Sequence, residues 1–309
     1  MQLIFGVENY IKKDKPLYLA LGNFDGVHKG HQELINKIVQ KAKTNGGLAA
    51  AFIFDPHPIK VICPEKAPKL LVTSERKAKL MAELGIDILI YQNFTHDISC
   101  WTPEHFVQEI LIDKLAVKEV FIGFNYSFGY KGQGSPELLV RLGEKLGFGV
   151  NITEPVEVKG QLVSSSLIRQ LLKVGEIKNA IALLGNKPML EAKIIRGENR
   201  GASIGFPTAN LEVNQELMSP GSGVYAGQIM IRNASYKCVV NIGTKPTFHE
   251  DYPLTVEAHI IDFKEDIYGE EIELFFIDKI RDEKKFMSIE QLVEQIRQDC
   301  DQAIKISTL

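Results

Sequence analysis

The first half of the chain alternates two kinds of apolar pattern. Short β-rich runs, "LYLALG" at Leu17–Gly22 and then "LAAAFIF", "IDILIYQ", "VKEVFIGF" and "FGVNITE", have strand length. Between them "SERKAKLMAELG", "TPEHFVQEILIDKL", "SPELLVRLGEKLG" and "SSSLIRQLLKVG" read as helical segments. A further helix follows "LYLALG": Leu34, Ile35, Ile38, Val39 and Ala42 keep a helical period, so Gly30 and His31 fall near its start. This rhythm predicts βαβ units and a doubly wound parallel sheet, a first domain of residues 1–185. Beyond "GNKPML" strands follow strands: "EAKIIRG", "GVYAGQIMIR", "YKCVVNIG", "TVEAHIID" and "EIELFFIDKI", with "NAS" at Asn233–Ser235 as a tight hairpin turn. Residues 186–309 therefore predict a small antiparallel β-barrel. A terminal helix opens at Ser288, where Ser288 and Gln291 can form a capping box; Ile289, Leu292, Val293, Ile296, Cys300 and Ala303 give it one apolar stripe to lay across the barrel. The expected fold class is α/β plus β.

Composition narrows the function. A chain of 309 residues with 45% apolar content can fill two ordinary cores. Net charge is −3 with Lys and Arg scattered, which gives no basic face for a nucleic-acid backbone, so no nucleic-acid partner is expected. Cys63, Cys100, Cys238 and Cys300 are far apart, without a metal-ligand pattern, and read as reduced core thiols. The opening "MQLIFGVENYIKKDK" brings charges too soon after its apolar run for a signal peptide, and no apolar stretch approaches about 18 residues. The expectation is a cytoplasmic protein with no membrane partner. The N-x-[ST] triplets at Asn93, Asn151 and Asn233 are read as chance matches.

The stretch "LGNFDGVHKGHQELI", Leu21–Ile35, carries the densest chemistry. A strand, a glycine turn and a helix N-terminus make a place where backbone N–H groups and the helix dipole hold an anion. His28 and His31 at i and i+3 suit zinc only with further ligands, and no nearby side chain supplies an obvious third. They also suit capping of the turn. At the carboxyl end of a strand in an open α/β sheet, they suit stabilising charge that develops on a phosphate. Neither Walker A nor G-x-G-x-x-G occurs. In "FDPHP", Phe54–Pro58, His57 is held between prolines, for a site or for the turn itself. In "GFNYSFGYKGQG", Gly123–Gly134, Asn125 can hydrogen-bond an adenine or flavin edge, while Phe128 can stack on that ring or seal the domain. Ser164–Ser166 can cap a helix.

The second half adds "GFPTAN", Gly205–Asn210: Pro207 fixes the backbone, and Thr208 and Asn210, two apart on an extended chain, offer oxygens to a hard cation. In "TVEAHIID" the alternation puts Val256, Ala258 and Ile260 on one face and Thr255, Glu257 and His259 on the other, lining a cleft or facing solvent. "RGENRGAS", Arg196–Ser203, reads as a glycine-rich flap.

"HKGH" resembles the H-x-G-H signature of the nucleotidyltransferase superfamily. The longer "GNFDGVHKGHQ" is similar to the prokaryotic bifunctional FAD synthetases, in which a riboflavin kinase is fused to an FMN adenylyltransferase. "FDPHP", "GFNYSFGYKGQG" and "SSSLIR" follow in that family's order, then "GFPTAN", "GVYAG", "NIGTKPTF", "VEAHIIDF" and "DIYGEEIEL" in the order of its kinase domain. Ser166 stands where the family usually has threonine, and Ala202 where many relatives carry a polar or basic residue.

The resemblance implies an N-terminal sheet of the nucleotidyltransferase type. There, His28, His31 and Arg169 would stabilise phosphate charge, and Gly22, Phe24, Asp25, Gly30, His57, Asn125, Phe128, Ser164 and Ser165 would surround ATP and flavin. In the kinase half it implies Gly205 and Pro207 at the nucleotide, Mg²⁺ held by Thr208 and Asn210, and Glu257 as the base. The implied reactions are phosphorylation of riboflavin by ATP to give FMN, then adenylylation of FMN by a second ATP to give FAD and pyrophosphate. Two other readings explain less. A nucleotidyltransferase with a different phosphorylated acceptor leaves "GFPTAN" idle, and a non-catalytic flavin-sensing regulator needs neither Glu257 nor paired histidines. Oligomeric state is not written in the sequence.

Overall fold

Leu17–Leu21 is buried at every position, as a strand covered on both faces must be. In the computed structural model, which describes residues 1–197, 200–244 and 254–306, it lies inside a six-stranded sheet. The elements of this region are β1 (Gln2–Phe5), β2 (Leu17–Leu21), α1 (Lys29–Thr44), β3 (Leu48–Asp55), α2 (Pro58–Ile62), α3 (Ser74–Glu83), β4 (Ile88–Asn93), α4 (His96–Ser99), α5 (Pro103–Phe106), β5 (Val117–Gly123), α6 (Pro136–Leu146) and β6 (Gly149–Thr153), followed by a short ribbon of β7 (Glu157–Val158) and β8 (Gln161–Leu162). The sheet order is β1-β4-β3-β2-β5-β6, with every pairing parallel. The order therefore reverses at β2 and β5, and a crevice opens outside their carboxyl ends.

The predicted sheet is present, with two differences. β1 was not expected: it has four residues, of which only Ile4 is buried, so an edge strand this short leaves little apolar signal. "TPEHFVQEILIDKL" is one turn of α-helix, α5, continued by a π-helical stretch over Val107–Lys114 whose Val107, Ile110 and Leu111 are buried. The first core packs these residues with Leu19, Leu21, Phe52, Ile90, Val120 and Ile122 of the sheet.

The rest of the chain consists of α7 (Ser165–Val174), α8 (Ile177–Leu184), β9 (Met189–Ile195), α9 (Arg200–Ser203), β10 (Ala209–Val213), β11 (Gly223–Ile231), β12 (Ala234–Thr244), β13 (Leu254–Ile260), β14 (Glu271–Arg281) and α10 (Ile289–Ile306). The strands close into an antiparallel barrel in the order β10-β13-β12-β11-β14-β9. Its interior is filled by residues such as Tyr225, Val240, Ala258, Leu274 and Phe276, each fully buried. The tight turn between β11 and β12 is Arg232–Asn233, both at positive φ, so Ala234 and Ser235 already pair in β12 and the expected turn at Asn233–Ser235 is shifted.

As expected, α10 lies across the barrel: Ala303, Cys300 and Ile306 pack on Val224, Ala226 and Val239. Its start differs slightly from a capping box, since Gln291 N–H donates to Ser288 Oγ but Gln291 Oε1 accepts from Met287 N–H. The Arg281 guanidinium forks onto the buried Asp299 carboxylate at 2.8–3.1 Å and ties α10 to β14.

Two compact units result: Met1–Lys69 with Thr73–Ser164, and Leu70–Val72 with Ser165–Leu309. The helices α7 and α8, which precede the expected boundary near Gly185, fall within the second unit. Of the four thiols only Cys238 is buried, while Cys63 and Cys300 are half-buried and Cys100 is exposed. Three of them therefore depart from the expected core position. Among the described residues no helix is long and apolar enough to cross a membrane.

Candidate functional sites

The carboxyl end of β2 runs into a turn whose backbone is bent at several successive residues. Phe24 has φ 49°, Gly26 78° and Val27 43°; for a β-branched valine this is a strained conformation. The turn delivers His28 as the N-cap of α1, where its Nδ1 accepts from the His31 N–H at 3.3 Å. With Nδ1 accepting, the neutral His28 ring carries its proton on Nε2.

The two imidazoles stack, with centroids 3.6 Å apart and planes 14° from parallel, and the buried Phe24 ring meets His31 edge-on at 5.2 Å. Gly30 makes room for this, because a Cβ there would stand only 3.2 Å from the His28 ring, and a Cβ at Gly22 would stand as close to Phe24. His31 Nδ1 is out of contact with solvent and has no hydrogen-bond partner among the described residues. Burial, then the neighbouring His28 and Lys77, hold the His31 pKa well below the usual histidine range. His31 can thus face a phosphate as a neutral dipolar group.

Around this turn the structure gathers Gly22, Phe24, Asp25, His28, Gly30, His31 and, through Asn23, His57. Asn23 Nδ2 lies 3.2 Å from His57 Nε2, and His57 caps α2 by accepting the Ile59 N–H on Nδ1. Asp25 is buried. Lys77, on the first turn of α3, carried no sequence signal as a functional residue; it is buried, and its ammonium donates to the Asn23 carbonyl at 2.9 Å. Asn125 is exposed on the loop after β5, the neighbour of β2 at the switch point. Phe128, on the same loop, is packed in the core against Phe106 and Tyr126, both at 5.7 Å. Its packing is that of a ring sealing the loop. Ser164 ends the first unit, and Ser165 and the half-buried Arg169 lie on α7 in the second.

In the barrel the alternation of β13 is as read: Val256, Ala258 and Ile260 are buried, while Thr255, Glu257 and His259 are half-buried on the other face. Register supplies Glu257 with neighbours, because it stands opposite Asn210 of β10 on one side and Asn241 of β12 on the other. The sequence reading did not single out Asn241, since only pairing brings it there. Gly205 has φ 88° in the turn leading to β10, and the Pro207 carbonyl lies 2.8 Å from His259 Nδ1.

Two glycines of the flap lie against the "GFPTAN" segment. A Cβ on Gly197 would collide with the Asn210 amide, and one on Gly201 would collide with the Phe206 carbonyl and stand 3.3 Å from Thr208 Oγ1. Glu198 and Asn199 of the flap, and Lys245–Phe248 of "NIGTKPTF", lie outside the described residues.

The FAD synthetase family profile matches residues 10–167, and the riboflavin kinase profile matches residues 184–307. The chain belongs to the family of bifunctional riboflavin kinase/FMN adenylyltransferases. Members from Listeria monocytogenes and Bacillus subtilis are 38% and 36% identical to it, over 91% and 93% of this chain and 89% and 91% of theirs. The Escherichia coli K12 member is 31% identical over 97% of this chain and 96% of its own. A crystal structure of a macrolide-efflux protein from Streptococcus pneumoniae is similar in fold, with a TM-score of 0.89 and 29% identity over 97% of this chain and 98% of that one. The resemblance carried by "GNFDGVHKGHQ" and "GFPTAN" thus extends over the chain. Riboflavin kinase and FMN adenylyltransferase are its two activities, and the reading as a flavin-sensing regulator is not favoured.

Proposed function

We propose that the barrel unit transfers the γ-phosphoryl group of ATP to riboflavin, with Glu257 as general base, and that the parallel-sheet unit adenylylates FMN at the paired histidines. In the first reaction the riboflavin 5′-hydroxyl oxygen attacks the γ-phosphorus while its proton passes to the Glu257 carboxylate, and ADP leaves. The observation that carries this reading is the register: Glu257 stands beside Asn210 and Asn241 on adjoining strands, with Gly197 close against the Asn210 amide and Gly201 near Thr208. The donor set there, a threonine hydroxyl and an asparagine amide oxygen next to a carboxylate, is the hard oxygen chemistry that Mg²⁺ prefers. Thr208 and Asn210 would hold it, and it would neutralise charge on the ATP phosphates.

In the second reaction an oxygen of the FMN phosphate attacks the α-phosphorus of ATP, and pyrophosphate leaves. His28 and His31 act on developing charge without a covalent intermediate, preorganised by their stacking and by the cap on α1. His31 stays neutral and acts as a dipole rather than as an acid. Arg169 keeps the phosphate-binding role that "SSSLIR" implies, and Asn125 the flavin or adenine edge. The test is direct: the purified protein with riboflavin, ATP and Mg²⁺ yields FMN and then FAD on chromatography, and neither product forms after chelation of the cation. A different acceptor would be revealed if supplied FMN gave no FAD while another phosphorylated acceptor supported pyrophosphate release.

A further inference from the structure

Lys77 is a buried charge that the proposed mechanism does not use. Its side chain runs from α3 to the turn after β2, where the ammonium donates to the Asn23 carbonyl at 2.9 Å. Burial pulls its pKa down, and the nearby carboxylates of Asp25 and Asp55 act in the opposite sense. A lysine is seldom buried unless something compensates it. Here the compensation coincides with the strained part of the turn, since Asn23 is followed at once by Phe24 at φ 49° and, three and four residues on, by Gly26 and Val27 at positive φ. Asn23 is also the residue that reaches His57 with its side chain. One ammonium therefore anchors the backbone from which both the stacked histidines and the His57 contact are hung.

We propose that Lys77 is a positioning residue for adenylyl transfer: its bond to the Asn23 carbonyl holds the bent turn in the conformation that presents His28 and His31 to the phosphates. This rests on the reading that the two histidines act in that reaction. Lys77 touches neither nucleotide nor flavin in this scheme; it acts through the turn. The groups in its surroundings are Asp25 from the turn, Asp55 at the end of β3 and His31 from α1.

The test compares Lys77→Met, His31→Ala and the double variant in the full chain. Lys77→Met should lower kcat for FAD formation from supplied FMN by roughly 10–100-fold, with KM for ATP within about threefold, because alignment rather than binding is lost. Riboflavin phosphorylation, measured on the same sample, should not change. In the His31→Ala background the same substitution should cost clearly less than it does in the wild type, since one of the two groups it positions is gone. If His31→Ala leaves FAD formation unchanged, the reading of the histidines fails. If His31→Ala is slow but Lys77→Met is not, or if the two effects simply multiply, Lys77 is not a positioning residue. Should Lys77→Met unfold the first unit, Lys77→Gln carries the comparison, and loss of fold in both overturns the proposal in favour of a purely structural lysine.

Discussion

The two sites of this chain are assembled by opposite means. In the parallel-sheet unit ten consecutive residues, Gly22–His31, supply the glycines, the cap and both imidazoles, and the cost is carried by an unusual backbone with Phe24 and Val27 at positive φ. In the barrel unit the short segment Gly205–Asn210 supplies only part of the site, and the base comes from another strand. Asn210, Glu257 and Asn241 come from three strands in ordinary extended conformation, and they meet only because the register of β10, β13 and β12 aligns them. A site made from one bent segment depends on whatever holds the bend, here Lys77 at the Asn23 carbonyl. A site made by register depends on the barrel that sets the register.

The largest effect expected from this contrast falls on the barrel. Glu257→Gln keeps the side chain's shape and its place between two asparagines but removes the base, so riboflavin phosphorylation should fall by about 10²–10⁴. FAD formation from supplied FMN should persist, which distinguishes a lost base from a lost fold. A variant that phosphorylates riboflavin at near wild-type rate would remove Glu257 from the mechanism and leave it a half-buried strand residue.

The mirror experiment falls on the bent segment. His31→Ala should slow FAD formation by roughly a hundredfold or more, in line with loss of one preorganised electrostatic group. Phosphorylation of riboflavin should hardly change. Equal loss of both activities would mean that the stacked pair supports the fold and does not act on phosphate.

The same contrast explains what could be read in advance. The bent segment is local, so "GNFDGVHKGHQ" shows its glycines, its histidines and its place between a strand and a helix. The face of β13 that carries Glu257 was equally legible, because strand alternation is a local rule. Its neighbours were less so. Asn241 belongs to the site only through pairing, and nothing within "YKCVVNIG" distinguishes it from a solvated strand asparagine. Lys77 was invisible for a related reason: in "SERKAKLMAELG" it is one of three basic residues on a short helix, and only the fold buries it. β1 escaped because four residues at a sheet edge bury one side chain. Phe128 shows the converse, a residue with a motif whose ring the fold packs into the core.

A smaller effect would sharpen the account of the flap. Gly197→Ala places a methyl group against the Asn210 amide, which must shift to admit it. We expect KM for ATP in riboflavin phosphorylation to rise about tenfold with a smaller change in kcat, the pattern of weakened ground-state binding. Adenylylation of FMN should be unaffected. An unchanged KM would show that Asn210 does not hold the nucleotide and its cation.

The smallest effect is one of stability, and it concerns the bent segment alone. His31 is kept neutral in the folded protein by burial, by His28 and by Lys77, so its folded pKa lies well below the ordinary 6.5. The unfolded chain therefore binds more protons than the folded one as pH falls below about 6.5, and stability rises with pH through the window between the folded value and 6.5. The contribution is fully present above that window and is lost on acidification. Between pH 7.5 and 5.5 the first unit should lose about 1 kcal/mol on this account. Carboxylates near the turn add their own slope, so the decisive measurement is a difference. Thermal unfolding of wild type and His31→Gln, followed at both pH values, should show the glutamine variant losing less on acidification. If the two proteins respond to acid alike, the His31 pKa is not lowered by folding as its burial requires, and the neutral His31 proposed at the phosphates would have to be abandoned.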